Sequence, residues 1–159
     1  MLNSCYLHRM KNVFTEQVSS ELIARINQLT PDSHRQWGKM TPAQMLAHCN
    51  VAYEMTYEDK HPAPGPFMKL ILKWLVKDKV VSDKPHKPNL RTAPAFIIAD
   101  DKDFDAEKTR LIGYVERTRS LGEDHFHMKE QRSFGKLTKT EWSNMFYKHL
   151  DHHLKQFGV

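Results

Sequence analysis

Apolar residues recur at three- and four-residue steps along most of this chain. Val13, Phe14, Val18, Leu22, Ile23, Ile26 and Leu29 form the first such series. They predict an amphipathic helix over residues 12–29, closed by Thr30-Pro31-Asp32. Thr41-Pro42-Ala43-Gln44 reads as a helix start, with a capping threonine, proline at the first helical position and glutamine completing a capping box. The second helix then covers about 42–57, with Met45, Cys49, Ala52 and Thr56 as its inward stripe and His48 beside them. Phe67, Leu70, Ile71, Trp74 and Leu75 give a short helix with one apolar face, and Lys69, Lys73 and Lys77 lie away from it. Such a face is expected to form a cap or lid packed on the bundle, and contact of this basic amphipathic helix with a membrane surface is the lesser alternative. Phe104, Leu111, Ile112, Val115 and Thr118 mark a further helix, started near Asp103 and running to about Leu121. Thr138 and Glu141 make a second capping box, opening a last helix over about 139–157 before Gly158.

The pattern predicts an all-α protein, a four-helix bundle with a short extra helix in its long middle connection. One domain spans 1–159, with 1–9 expected as a poorly ordered extension. Strand-like alternation is confined to a few residues around Phe96–Ile98. Residues 78–99 read as a long irregular connection, and 122–137 as a linker. A loop as long as the first usually serves function or covers something.

Composition narrows the partners. The net charge is +5, but the lysines are scattered and no arginine-rich or interleaved aromatic–basic tract occurs. A solvated basic surface is favoured, and no nucleic-acid partner is expected. No run approaches a membrane span, so no membrane partner is expected either. Cys5 and Cys49 sit too differently to predict a disulfide, and a reducing cytoplasm fits. The first residues lack the apolar stretch of a signal peptide.

The chemistry concentrates in histidines. His149 and His153 lie four residues apart on the last helix. On a wheel of 100° per residue they fall about 40° apart, within the face holding Trp142, Phe146 and Phe157. His152 falls about 60° to the other side, at the edge. Two bare imidazoles in an apolar stripe need partners. A metal ion supplies one; carbonyls or water are the alternative. His48, inward on the second helix, offers a third imidazole from a facing helix. Three neutral imidazoles suit zinc, nickel or iron as the divalent ion and leave a position open. Cys49 lies about 100° from His48 and reads as a core thiol. His125 and His127 could line a pocket but read as loop residues, and His34, His61 and His86 read as residues of polar loops.

Three strings carry a resemblance: WGKMTPAQMLAHC (Trp37–Cys49), FGKLTKTEW (Phe134–Trp142) and YKHLDHHLKQFG (Tyr147–Gly158). In this order they resemble the DinB-like (DinB/YfiT-like) superfamily, in a branch of unknown function, over nearly the whole chain from about Met10. The resemblance implies a four-helix bundle holding a divalent metal through three histidines, placed here at His48, His149 and His153. It also implies a homodimer. Characterised members include thiol S-transferases and an isomerase that use low-molecular-weight thiols.

Two readings follow. In the first, the metal lowers the pKa of a small-molecule thiol, and the thiolate attacks an electrophilic substrate. His152, His86 and Arg91 are then candidate pocket residues, with Lys84 a further cation for an anionic group. A variant uses metal-activated water for hydrolysis. In the second, the metal only stabilises a binding or stress-response protein.

Overall fold

The structure, a computed structural model, describes residues 10–159. The expected extension at 1–9 and Cys5 lie outside the described residues. Four long helices dominate: α1 (Glu16–Gln28), α2 (Pro42–Tyr57), α5 (Phe104–Phe126) and α6 (Lys139–Gln156). Two short helices, α3 (Pro66–Leu75) and α4 (Lys77–Val81), and a single 3-10 turn at Pro94–Phe96 occupy the middle connection. Strands β1 (Lys129–Gln131) and β2 (Gly135–Leu137) pair antiparallel between α5 and α6. The fold is all-α apart from this hairpin. Helices α1 and α2 each pack against both α5 and α6, which places them across the bundle from each other.

Local chemistry sets the helix ends. Thr41 and Gln44 close the capping box of α2, and Thr138 and Glu141 close that of α6. These two helices carry the histidines, so the boxes fix the starting points from which the imidazoles are counted. Helix α1 starts later than its periodicity predicts. Thr15 caps it by accepting from the Val18 amide, so Val13 and Phe14 precede the first turn. Helix α5 begins after Asp103, which accepts from the Ala106 amide. Its expected end at Leu121 is a kink, where Gly122 takes φ 75°, and helix resumes to Phe126.

The core joins α2, α5 and α6 through aromatic rings. Tyr53 stacks on Tyr114 at 5.5 Å and on Phe146 at 4.8 Å. Phe126 and Trp142 extend the cluster at 5.4 Å. Burial on α2 is wider than the single stripe its sequence suggests. Leu46, Ala47, Val51 and Tyr53 are buried as well, because neighbours flank both sides of the helix.

Three expectations are corrected. The apolar face of α3 does not cap the bundle: Phe67, Leu70, Trp74 and Leu75 are exposed, while Leu72, with Val76 just beyond the helix, packs on the core. The strand-like stretch at Phe96–Ile98 starts in a 3-10 turn, with Pro94 at its first position. The strands form instead within 122–137, each three residues long and too short to show alternation. The first part of 78–99 is also regular, because α4 extends to Val81.

Residues of α6 tie this connection down. Asn144 donates to the Val81 carbonyl at 3.0 Å. One turn later, Lys148 donates to the carbonyls of Lys79 at 2.8 Å and Ser82 at 2.9 Å. Together they satisfy the end of α4. Among the described residues, no helix is long and apolar enough to cross a membrane.

Candidate metal centre

Helices α2 and α6 bring His48, His149 and His153 together, with one ring nitrogen of each lying within 4.8 Å of the others. The ring centroids are 4.5 to 4.9 Å apart. His48 and His153 are buried and His149 is half-buried. The four-residue step on α6 stacks two rings on one face, and the third faces them from α2.

Hydrogen bonds orient two of the rings. His48 Nδ1 lies 2.8 Å from the Phe96 carbonyl, which only accepts, so His48 carries its proton on Nδ1. Its Nε2 is then a lone pair, 2.9 Å from Nε2 of His149. His153 Nδ1 lies 2.8 Å from Oε1 of Gln156. The Gln156 amide nitrogen donates to the Trp37 carbonyl at 2.8 Å, which assigns Oε1 as acceptor and places the His153 proton on Nδ1. A ligating histidine ordinarily donates its other nitrogen in this way.

Electrostatics keep the cluster neutral. Burial drives His149 well below the ordinary histidine range, and His153 and His48 beside it add to this. Burial lowers His153 to about 3, with a further push from His48. Burial also lowers His48, against the Phe96 hydrogen bond. Neutral imidazole is the ligating form. The donor set therefore fits a divalent transition metal: three neutral nitrogens from two rigid helices, two of them with oriented partners.

Residues 10–158 match the family described as "Protein of unknown function (DUF1569)". The chain belongs to this family. No curated protein and no solved structure shows a match.

The other candidate residues of this DUF1569 chain divide. His152 is half-buried and stands outside the convergent group. Its ring lies 5.0 Å from His153, 5.5 Å from Trp37 and 5.8 Å from His86. His152, Trp37 and His86 border a cavity of about 210 Å³, also lined by Lys148, Asp151 and Lys155. Burial lowers His86 to about 4 and Lys148 to about 8. Arg91 and Lys84 are exposed and do not line this cavity. Cys49 is buried in the core, with its sulfur 3.7 Å from that of Met45. His61 is no plain loop residue. It reaches Glu54 at 2.7 Å, because the chain leaving α2 folds back along that helix.

Sequence reasoning missed the groups that orient the site. Phe96 supplies the carbonyl to His48, and its ring packs 5.4 Å from His48 and 5.7 Å from His149. Gln156 holds His153, and its three-residue spacing is a signal readable on a helical wheel. Gly38 is needed by close approach: with φ 78°, a Cβ there would stand 2.5 Å from the Gln156 amide nitrogen. The Trp37-Gly38 pair is thus part of the support of His153.

Proposed function

We propose that this chain binds one divalent transition metal through His48, His149 and His153, and uses it to activate a low-molecular-weight thiol for transfer to an electrophile. The convergence of three neutral imidazole nitrogens within 4.8 Å carries the reading. A metal held by three protein ligands keeps a position open and acts there as a Lewis acid, lowering the pKa of a thiol or a water. The three histidines are ligands in this reading and not general bases. Phe96 and Gln156 hold two of them in the ligating tautomer. The cavity lined by Trp37, His86 and His152 would take the cosubstrate, and the His152 ring lies 5.0 Å from that of His153. The resemblance to the DinB-like superfamily supports the thiol over other nucleophiles.

The second reading, a metal-stabilised protein without activity, draws on Phe96. Its ring covers His48 and His149 from the connection above them. Metal analysis and a thiol panel separate the possibilities. Purified protein incubated with Zn²⁺, Ni²⁺ or Fe²⁺ should retain about one metal per chain. His149→Ala should abolish retention, and His152→Ala should leave it. Absence of metal from the wild type in all three cases overturns both readings. Metal retention without metal-dependent conjugation of any thiol to a reactive electrophile removes the transferase and leaves the hydrolase or the stabilised protein.

A further inference from the structure

The exposed face of α3 is the largest departure from a closed bundle. Phe67 is 76% exposed, Trp74 75%, Leu75 68%, Leu70 53% and Met68 49%. These residues belong to one ten-residue helix, Pro66–Leu75. On a wheel they span an arc of about 160°, with Leu72 about 40° beyond its Met68 edge, where the helix meets the core. Single exposed apolar residues are ordinary, but five contiguous on one short helix mark a contact surface.

Charge points to the occupant. Between Lys60 and Arg91 the chain carries eight lysines and arginines and two aspartates, a net +6. The whole chain carries +5, so everything outside this connection sums to −1. Among the described residues, Lys73, Lys79, Lys84, Lys87 and Arg91 are exposed and have no carboxylate partner. The positive excess of the protein thus resides on the connection that carries the apolar face. A second copy seated on this face by two-fold symmetry would set one +6 segment against another. An anionic lipid surface meets both properties at once: it takes up Phe, Trp and Leu at the headgroup boundary and attracts the flanking lysines.

We propose that α3 is a peripheral membrane-docking helix, selective for anionic bilayers. The face sits on a helix with lysine at its flank, and Trp74 and Phe67 are its anchors. Insertion is interfacial, since α3 is too short to span a bilayer. The metal reading is not required for this.

Co-sedimentation of the full chain with vesicles tests it. Vesicles of about one-third phosphatidylglycerol in phosphatidylcholine should bind the protein, and pure phosphatidylcholine at least about tenfold less. Raising salt from about 0.1 to 0.5 M should weaken binding several-fold, as screening shortens the reach of the lysines. Phe67→Ser with Trp74→Ser should reduce partitioning at least about tenfold, with an unchanged circular dichroism spectrum because both side chains face solvent. Wild-type protein that stays in the supernatant with anionic vesicles overturns the proposal. Equal binding to neutral and anionic vesicles overturns its charge selectivity. A dimer lost in the double variant, with no vesicle binding by the wild type, assigns the face to a second copy and also overturns it.

Discussion

Nε2 of His48 and Nε2 of His149 face each other at 2.9 Å, although the two residues are 101 apart in the chain. The Phe96 carbonyl fixes the proton of His48 on Nδ1, so its Nε2 accepts. The proton in the contact therefore belongs to His149. A metal bound at this position would take the place of that proton.

Nitrogen-15 spectra of the imidazoles check this relationship. His149 in metal-free protein should be the Nε2–H tautomer, and on addition of Zn²⁺ it should become Nδ1–H. His48 and His153 should keep Nδ1–H throughout. A His149 ring unchanged by one equivalent of Zn²⁺ would contradict ligation through Nε2.

Gln156 and Gly38 support the histidine cluster at one remove from its ring nitrogens. Gln156→Leu removes the acceptor of the His153 proton and should weaken metal affinity about 10- to 100-fold. Gly38→Ala should do the same without touching any histidine, because its Cβ displaces Gln156. It should also lower stability by about 1 kcal/mol or more, through strain at positive φ. Calorimetric titration with Zn²⁺ measures the first effect and urea unfolding the second. Wild-type affinity in both variants would show that the Gln156 bond is incidental.

Acid should destabilise the metal-free protein earlier than carboxylate protonation alone would. The folded His153 is held near 3, whereas the unfolded chain takes up its proton near 6.5. The unfolded state therefore binds more protons below about 6.5. Stability is complete above that pH and falls as pH drops toward 3, by about 1.4 kcal/mol per unit for each such histidine. Urea midpoints at pH 7.5 and 5.5 should differ more in the wild type than in His153→Gln. Equal differences would show that His153 titrates as an exposed residue.

Lys148 is buried at 1% exposure and holds the end of α4 through two carbonyls. Lys148→Met leaves those carbonyls unpaired and should cost about 1–3 kcal/mol. The connection above the site should loosen with it. Hydrogen exchange of amides in 82–99 should speed up by more than that of the α2 core. Uniform acceleration would indicate global destabilisation only.

Much of the fold was legible because helical burial leaves a local period. The starts of α2 and α6 were readable from Thr41 to Gln44 and from Thr138 to Glu141, since a capping box lies within four residues of chain. The inward facing of His149 and His153 followed from the same period. The β1–β2 hairpin was not legible, because three-residue strands carry no alternation. The outward face of α3 was not legible either, because an apolar stripe looks the same whether it meets a core or solvent.

The sequence by itself determined that the four long helices and α3 form, where two of them begin, and that α6 presents two imidazoles on one face. Tertiary structure alone decided that His48 meets them within hydrogen-bond reach, that the Phe96 carbonyl fixes the proton of His48 and the Trp37 carbonyl orients Gln156, and that α3 turns its apolar face outward. The first set depends on contacts three and four residues apart, which the order of residues specifies directly. The second depends on contacts 48 to 119 residues apart and on which neighbour a face finds, which only the packing of the whole chain settles.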